Sequence, residues 1–266
     1  MTTSNDAPVL LEWRDGIASI RFNRPRSLNA ISPGLAECFL ECCRQIDAST
    51  ECRVVLISGE GRAFMAGGDL SSFYQDFASA PETAGAMIEP MNAALHILVS
   101  LPVPVVASLR GAVAGAGMSV ALASDLAIAS RDVQFSFGYT QIGASPDVGI
   151  SWSLPRIVGL RQAMGIAMLG ESIGADRALE LGLVNRVVPE ENLVDETDAL
   201  VSRLASGPTV AYGQTKRLLR MSSELRLDEQ LREELGAFQA CASTQDFVRG
   251  VSNFIEKKKD ANFTGA

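Results

Sequence analysis

Two glycine-rich stretches and one isolated aspartate concentrate the chemistry that this 266-residue chain could perform. The first stretch is Ala63-Phe64-Met65-Ala66-Gly67-Gly68-Asp69-Leu70; the second is Arg110-Gly111-Ala112-Val113-Ala114-Gly115-Ala116-Gly117-Met118-Ser119. Each follows a short apolar run with strand character, Arg53 to Ser58 in one case and Val103 to Leu109 in the other. Glycine at such a junction frees the backbone for unusual φ and ψ and lets a ligand approach main-chain N–H groups, and a helix start adds positive dipole character. Both properties suit an anionic oxygen, although in either stretch alone the same small residues also serve close packing of a helix on a sheet. A dinucleotide fingerprint fits poorly, because Gly115-x-Gly117 is followed by Val120 where a third glycine or alanine is required.

The aspartate, Asp147, lies in Ala144-Ser145-Pro146-Asp147-Val148-Gly149 and by itself reads as a turn or N-cap residue. The single histidine, His96, rules out a His-rich metal site, and no metal is expected. A Ser-His-Asp hydrolase built from His96 with Ser119 or Ser145 lacks the Gly-x-Ser-x-Gly elbow. The five cysteines, Cys38, Cys42, Cys43, Cys52 and Cys241, are an odd number without metal-site spacing and read as reduced core thiols.

The elements that must position these residues alternate between strand and helix patterns. Val9 to Trp13 and Ile17 to Phe22 alternate around Arg14-Asp15-Gly16 as a hairpin. Ser32 and Pro33 supply an N-cap and first residue for a helix to about Ala48. A strand over 53–58, an Asp69 helix cap, a helix over Thr83 to Leu101, a strand over 103–109, a helix opened by the second glycine stretch and a strand over Asp125 to Ala129 follow. From about Ala175 strand signals nearly vanish, and Ala175 to Leu181, Glu191 to Ala205, Thr209 to Met221, Leu227 to Cys241 and Gln245 to Lys258 read as helices. The fold class is α/β, with residues 1–200 as the core and 201–266 as a helical subdomain.

A net charge of −8 is the wrong sign for a nucleic-acid binder. No apolar stretch reaches the roughly 20 residues of a membrane span. Met1 to Pro8 shows no basic region followed by an apolar core, so a cytoplasmic chain is expected. Three of the four lysines are Lys257, Lys258 and Lys259, a local cluster able to meet an anionic small ligand.

Taken together and in order, these motifs resemble the crotonase superfamily, also called the enoyl-CoA hydratase/isomerase family. The resemblance also runs through Arg26-Ser27-Leu28-Asn29-Ala30, Ser153-Leu154-Pro155-Arg156-Ile157-Val158-Gly159, Gly182-Leu183-Val184-Asn185 and Phe254-Ile255-Glu256-Lys257. It implies a spiral of ββα units with a helical C-terminal part, a homotrimer or hexamer, and acyl-CoA thioester substrates, with CoA part of the substrate and no separate cofactor. It further implies that the N–H groups of Gly68 and Ala116 form an oxyanion hole. By the same resemblance Arg26, Leu28, Ala30, Ala66, Gly67, Met118, Tyr139, Phe254 and Lys257 bind substrate, the last two commonly from a neighbouring subunit.

Hydratases of this family use two glutamates; the matching positions here are Ser119 and Tyr139. Both acids are missing, so the resemblance shifts to members that move a double bond, the enoyl-CoA isomerases and the ring-opening isomerase of phenylacetyl-CoA degradation, whose acid matches Asp147. One carboxylate suffices to take a proton from one carbon and return it two carbons away, and Phe64, Met65, Met118, Tyr139 and Trp152 are expected as apolar walls around it. A 4-chlorobenzoyl-CoA dehalogenase is a weaker match, since Asn92 stands where that enzyme has a histidine base. The motifs also accommodate, less well, a hydratase-like enzyme or a non-catalytic acyl-CoA binder.

Overall fold

The structure, a computed structural model, describes residues 6–258 and 262–266. Lys259 lies outside them. The hairpin forms as expected: β1 (Val9–Arg14) and β2 (Ile17–Phe22) pair antiparallel. Asp15 and Gly16 at its tip have φ of +50° and +78°, the two successive positive values of a two-residue hairpin turn.

The chain then winds as a spiral. After α1 (Pro33–Asp47), capped by the Ser32 hydroxyl, come β3 (Val54–Gly59), α2 (Leu70–Gln75), capped by Asp69, and α3 (Ala80–Ser100). Next are β4 (Val105–Leu109), β5 (Ala112–Ala114), α4 (Ala116–Ala123), β6 (Leu126–Ser130) and β7 (Gln134–Ser136). They lead to α5 (Ile150–Val158), α6 (Leu160–Leu169), β8 (Ile173–Gly174), α7 (Ala175–Glu180) and β9 (Arg186–Val188). The large sheet has the order β1-β2-β3-β4-β6-β9 and is parallel beyond the first pair. Beside it lies a small sheet, β5-β7-β8, extended by single bridges from Met65 to Val113 and from Ile31 to Gly68. Successive turns of the spiral therefore bring the segments that follow β2, β3, β4 and β6 to the same short-strand edge.

Alternation along the strands feeds both faces of the large sheet. Val55, Ile57, Val105 and Ala107 join the main core under α1, α3 and α4. Val54 and Val106 face α8 (Leu193–Ala205), whose Val201 and Leu204 cover them. The boundary expected at residue 200 falls inside this helix; the helices that leave the sheet are α9 (Thr209–Met221), α10 (Leu227–Ala242) and α11 (Gln245–Ile255). The nearly buried Lys216 of α9 pairs with Asp125 at 2.9 Å and donates to the carbonyls of Leu98 and Val103, tying this helix to the core.

Two sequence expectations are corrected. Strand structure persists beyond residue 175, because β9 adds to β6 at the sheet edge; three residues are too few to show an alternation. The strands β5, β7 and β8 are short in the same way. The last helix stops at Ile255 rather than Lys258, since Lys257 takes a left-handed φ of +55°, a conformation that ends a helix. All five cysteines are unpaired. Among the described residues no helix is long and apolar enough to cross a membrane.

Candidate active site

Loop 63–69 is held along the short-strand edge by its own backbone. Met65 N–H donates to Ala112 and Ala114 N–H donates back to Met65, while Ala66 N–H donates to Leu28. Ile31 then takes the two groups flanking Gly68: its N–H donates to Gly67 O at 2.7 Å and its carbonyl accepts Asp69 N–H at 2.9 Å. The Gly68 N–H is left over. Gly67 makes the turn possible with φ +88°, where a Cβ would stand 3.1 Å from Ala114 O.

The second free amide arises at a helix start. Gly115, with φ +51° and ψ −126°, donates its N–H to Ser136 O and hands the chain to α4, whose first residue is Ala116. The first N–H groups of a helix have no intrahelical acceptor and carry the positive end of its dipole. Among the described residues no acceptor meets the N–H of Gly68 or Ala116.

Both residues line one cavity of about 750 Å³. Ala66, Gly67, Tyr139 and Asp147 line it too, and Asp147 is its only acidic side chain among the described residues. Asp147 sits in the turn before α5, followed by Val148 with φ +48°, a value that a β-branched residue adopts at a cost of roughly 1–3 kcal/mol. Its Oδ1 accepts the Tyr139 hydroxyl at 2.5 Å, and its main-chain carbonyl accepts the Ser119 hydroxyl at 3.3 Å. Burial pushes the Asp147 carboxyl above the usual carboxylate range, partly offset by the hydrogen bond from Tyr139. Burial and the neighbouring Asp147 charge push the Tyr139 phenol up, so it remains the donor.

The site's frame depends on residues that carried no functional expectation. Asn29, fully buried with φ +56°, donates its side-chain amide to the carbonyls of Glu60, Ala63 and Phe64 and accepts Arg24 N–H at 2.8 Å. Arg24 in turn pairs with Asp69 at 3.1 Å. The Ser71 hydroxyl and then Arg24 hold the Asp69 carboxyl below its ordinary value, and Asp69 caps α2. A largely apolar part of the lining comes from other elements, with Leu70, Phe73, Tyr74 and Phe77 from α2 and its following turn, and Met87 and Met91 from α3. Leu70, Phe73 and Tyr74 share one face of α2 by their i, i+3, i+4 spacing, which reads equally as core, and Phe77 follows beyond the helix end at Gln75.

Several expected residues lie elsewhere. Met118 is fully buried because α4 is enclosed on every side, and Phe64 and Met65 are equally enclosed; all three are core packing rather than cavity wall. Trp152 stacks under Arg156, 4.1 Å from its guanidinium carbon, on another face. Arg26 is exposed in a short 3-10 turn, Leu28 is half-buried and gives its carbonyl to Ala66, and Ala30 is buried with its carbonyl bonded to Arg24; none lines the cavity. Phe254, 83% exposed, and Lys257 belong to the C-terminal helix and its end, and also lie outside it. His96 is exposed on α3, away from the cavity lining.

Two unpaired amides and one carboxylate in an apolar cavity can stabilise a developing oxyanion and move a proton beside it. Comparison with known proteins agrees on the frame. The family described as "Enoyl-CoA hydratase/isomerase" matches residues 12–266. The chain is 33% identical to the 1,2-epoxyphenylacetyl-CoA isomerase of Escherichia coli K12, over 97% of this chain and 98% of that protein. It is 30% identical to a 4-chlorobenzoyl coenzyme A dehalogenase of an Arthrobacter species, covering 97% and 94%. The crystal structure of an enoyl-CoA hydratase from Polaromonas sp. JS666 superposes with a TM-score of 0.88 at 31% identity, covering 94% of this chain and 97% of that one. Three reactions at similar identity share this scaffold, and on the match of family, fold and length the chain belongs to the enoyl-CoA hydratase/isomerase, or crotonase, family.

Proposed function

We propose that the protein is an acyl-CoA isomerase that shifts a double bond, of the enoyl-CoA Δ-isomerase or 1,2-epoxyphenylacetyl-CoA isomerase type. The observation that carries this reading is that, among the described residues, Asp147 is the single acid lining the cavity that holds the Gly68 and Ala116 amides, while the two other candidate positions carry Ser119 and Tyr139. In the allylic case Asp147 removes a proton from C2 of a 3-enoyl thioester. The C2–H electron pair forms the enolate, whose oxygen the two amides stabilise. Collapse of the enolate re-forms the carbonyl, places the double bond between C2 and C3, and sends the C3–C4 π pair to the proton held on Asp147, now delivered to C4. Nothing is oxidised or reduced, and CoA enters only as part of the substrate.

A dehalogenase reading gains no support from α3, where Asn92 is exposed and outside the cavity lining. We further propose a cytoplasmic homotrimer or hexamer, with Phe254 and Lys257 serving a neighbouring copy. The support is the exposed apolar stripe of Leu227, Leu231, Leu235 and Phe238 on α10 and of Val248 and Val251 on α11. Sedimentation at micromolar concentration tests it, a stable monomer of 28.3 kDa being the contradicting result. For the activity, turnover of 3-enoyl-CoA, 2-enoyl-CoA and ring-epoxide CoA thioesters is the test. Isomerisation of the first or third without hydration of the second is expected; hydration alone would overturn the reading.

A further inference from the structure

The two positions at which hydratases of the family carry acids are not idle here: both side chains grip Asp147. Tyr139 reaches it from the loop after β7 and bonds Oδ1 at 2.5 Å; Ser119 reaches it from the fully buried face of α4 and bonds its main-chain carbonyl at 3.3 Å. We infer that Tyr139, backed by Ser119, is a positioning residue that occupies Asp147 Oδ1 and the backbone beneath it, leaving Oδ2 as the one oxygen that takes the substrate proton and returns it. This deepens the isomerase reading above and rests on it.

The geometry has two chemical consequences. A carboxylate free to rotate can take the proton on one oxygen and lose it to solvent through the other, whereas a carboxylate held at Oδ1 keeps the proton on Oδ2. Delivery then comes from the same side of the substrate as removal, and part of the substrate's own hydrogen reaches C4. The phenol also donates to the ionised form of the base, which opposes the burial that favours the protonated form. The titratable side chains lining the cavity are Tyr74 from α2, Tyr139 and Asp147, with none from α3, α4 or the 66–68 loop among the described residues. Tyr74 is 80% exposed. The Tyr139 bond is therefore the contact through which the base can be tuned.

The test is the pH profile of kcat/KM for Tyr139→Phe beside the wild type, on a 3-enoyl-CoA deuterated at C2. Loss of a donor to the ionised carboxylate moves the acid limb up by about one pH unit. Turnover at neutral pH falls about tenfold, KM stays within about twofold, and the fraction of deuterium found at C4 drops. Placing 3-fluorotyrosine at position 139 keeps the ring and strengthens the donor, so the acid limb moves down; this arm covers a Phe variant that fails to fold. An unmoved acid limb with unchanged deuterium transfer, in a protein whose Asp147→Asn variant is inactive, overturns the positioning role and leaves the base in place. Full activity in Asp147→Asn instead overturns the reading beneath it.

Discussion

The two walls of the cavity are made of different materials. The wall that carries Gly68 and Ala116 offers backbone groups, fixed because their neighbours in the chain are committed to Ile31, Ser136 and Ala112. The wall of α2 and α3 offers side chains, and its outermost members, Tyr74 and Phe77, are 80% and 69% exposed. The first wall can hold an oxyanion without reorganising, which is what stabilises a transition state. The second offers aliphatic and aromatic side chains, with the Tyr74 hydroxyl among them. On the proposed function, chemistry falls to the first, rigid edge and choice of acyl group to the second, softer one.

Damage to the rigid edge should cost most. Gly115→Ala places a Cβ on a residue with φ +51° and ψ −126°, a backbone region open to glycine, and tilts the Ala116 amide away from the thioester oxygen. Isomerase turnover should fall about 10²- to 10³-fold, read as kcat, while the melting temperature shows that the fold persists. Asn29→Ala strikes the same edge from beneath by stranding the carbonyls of Glu60, Ala63 and Phe64. It should lower stability by about 3 kcal/mol, seen as a melting temperature about 5–10 °C lower.

Damage to the soft edge should redirect the enzyme rather than disable it. Phe77→Ala should change the ratio of kcat/KM between short and long acyl chains by about tenfold, with kcat on the better substrate within about threefold. Equal losses on every chain length would show that the two walls are not separable.

A smaller effect separates function from stability at Asp147 itself. Because burial raises its carboxyl in the folded state, ionisation works against folding as pH rises above the ordinary carboxylate range. Asp147→Asn should therefore melt above the wild type at pH 7, and the gap should close at pH 4 and below. The opposite order at pH 7 would mean that the ionised form is favoured on folding.

The contrast between the walls also marks what could be read in the residues. The two glycine-rich stretches were visible because a backbone site demands particular residue types next to a strand end, while the amides of Gly68 and Ala116 were singled out by the family resemblance. Asp147 by itself read as a turn or N-cap residue, and only its match to the acid of the family's isomerases singled it out. Met118 misled because adjacency to a glycine loop says nothing of which way a side chain points, and α4 turned out to be enclosed all round. The α2 wall escaped notice because apolar spacing over six helical residues is as typical of core as of a cavity. The strands β5, β7, β8 and β9, two or three residues each, are defined by their partners and leave no periodic trace. Asn29 was seen as part of a loop, but its three carbonyl partners lie 31 to 35 residues away, a relation that no local pattern records.

In the proposed isomerisation one carboxylate moves one proton, and the most direct measurement is isomerisation of a 3-enoyl-CoA by the wild type and by Asp147→Asn at saturating substrate, with acyl-CoA affinity measured in parallel. The substitution keeps size and removes the base, so turnover should fall by about 10²- to 10⁴-fold while affinity changes by less than about threefold. Wild-type turnover in Asp147→Asn, on a substrate that the wild type isomerises, would contradict the central claim.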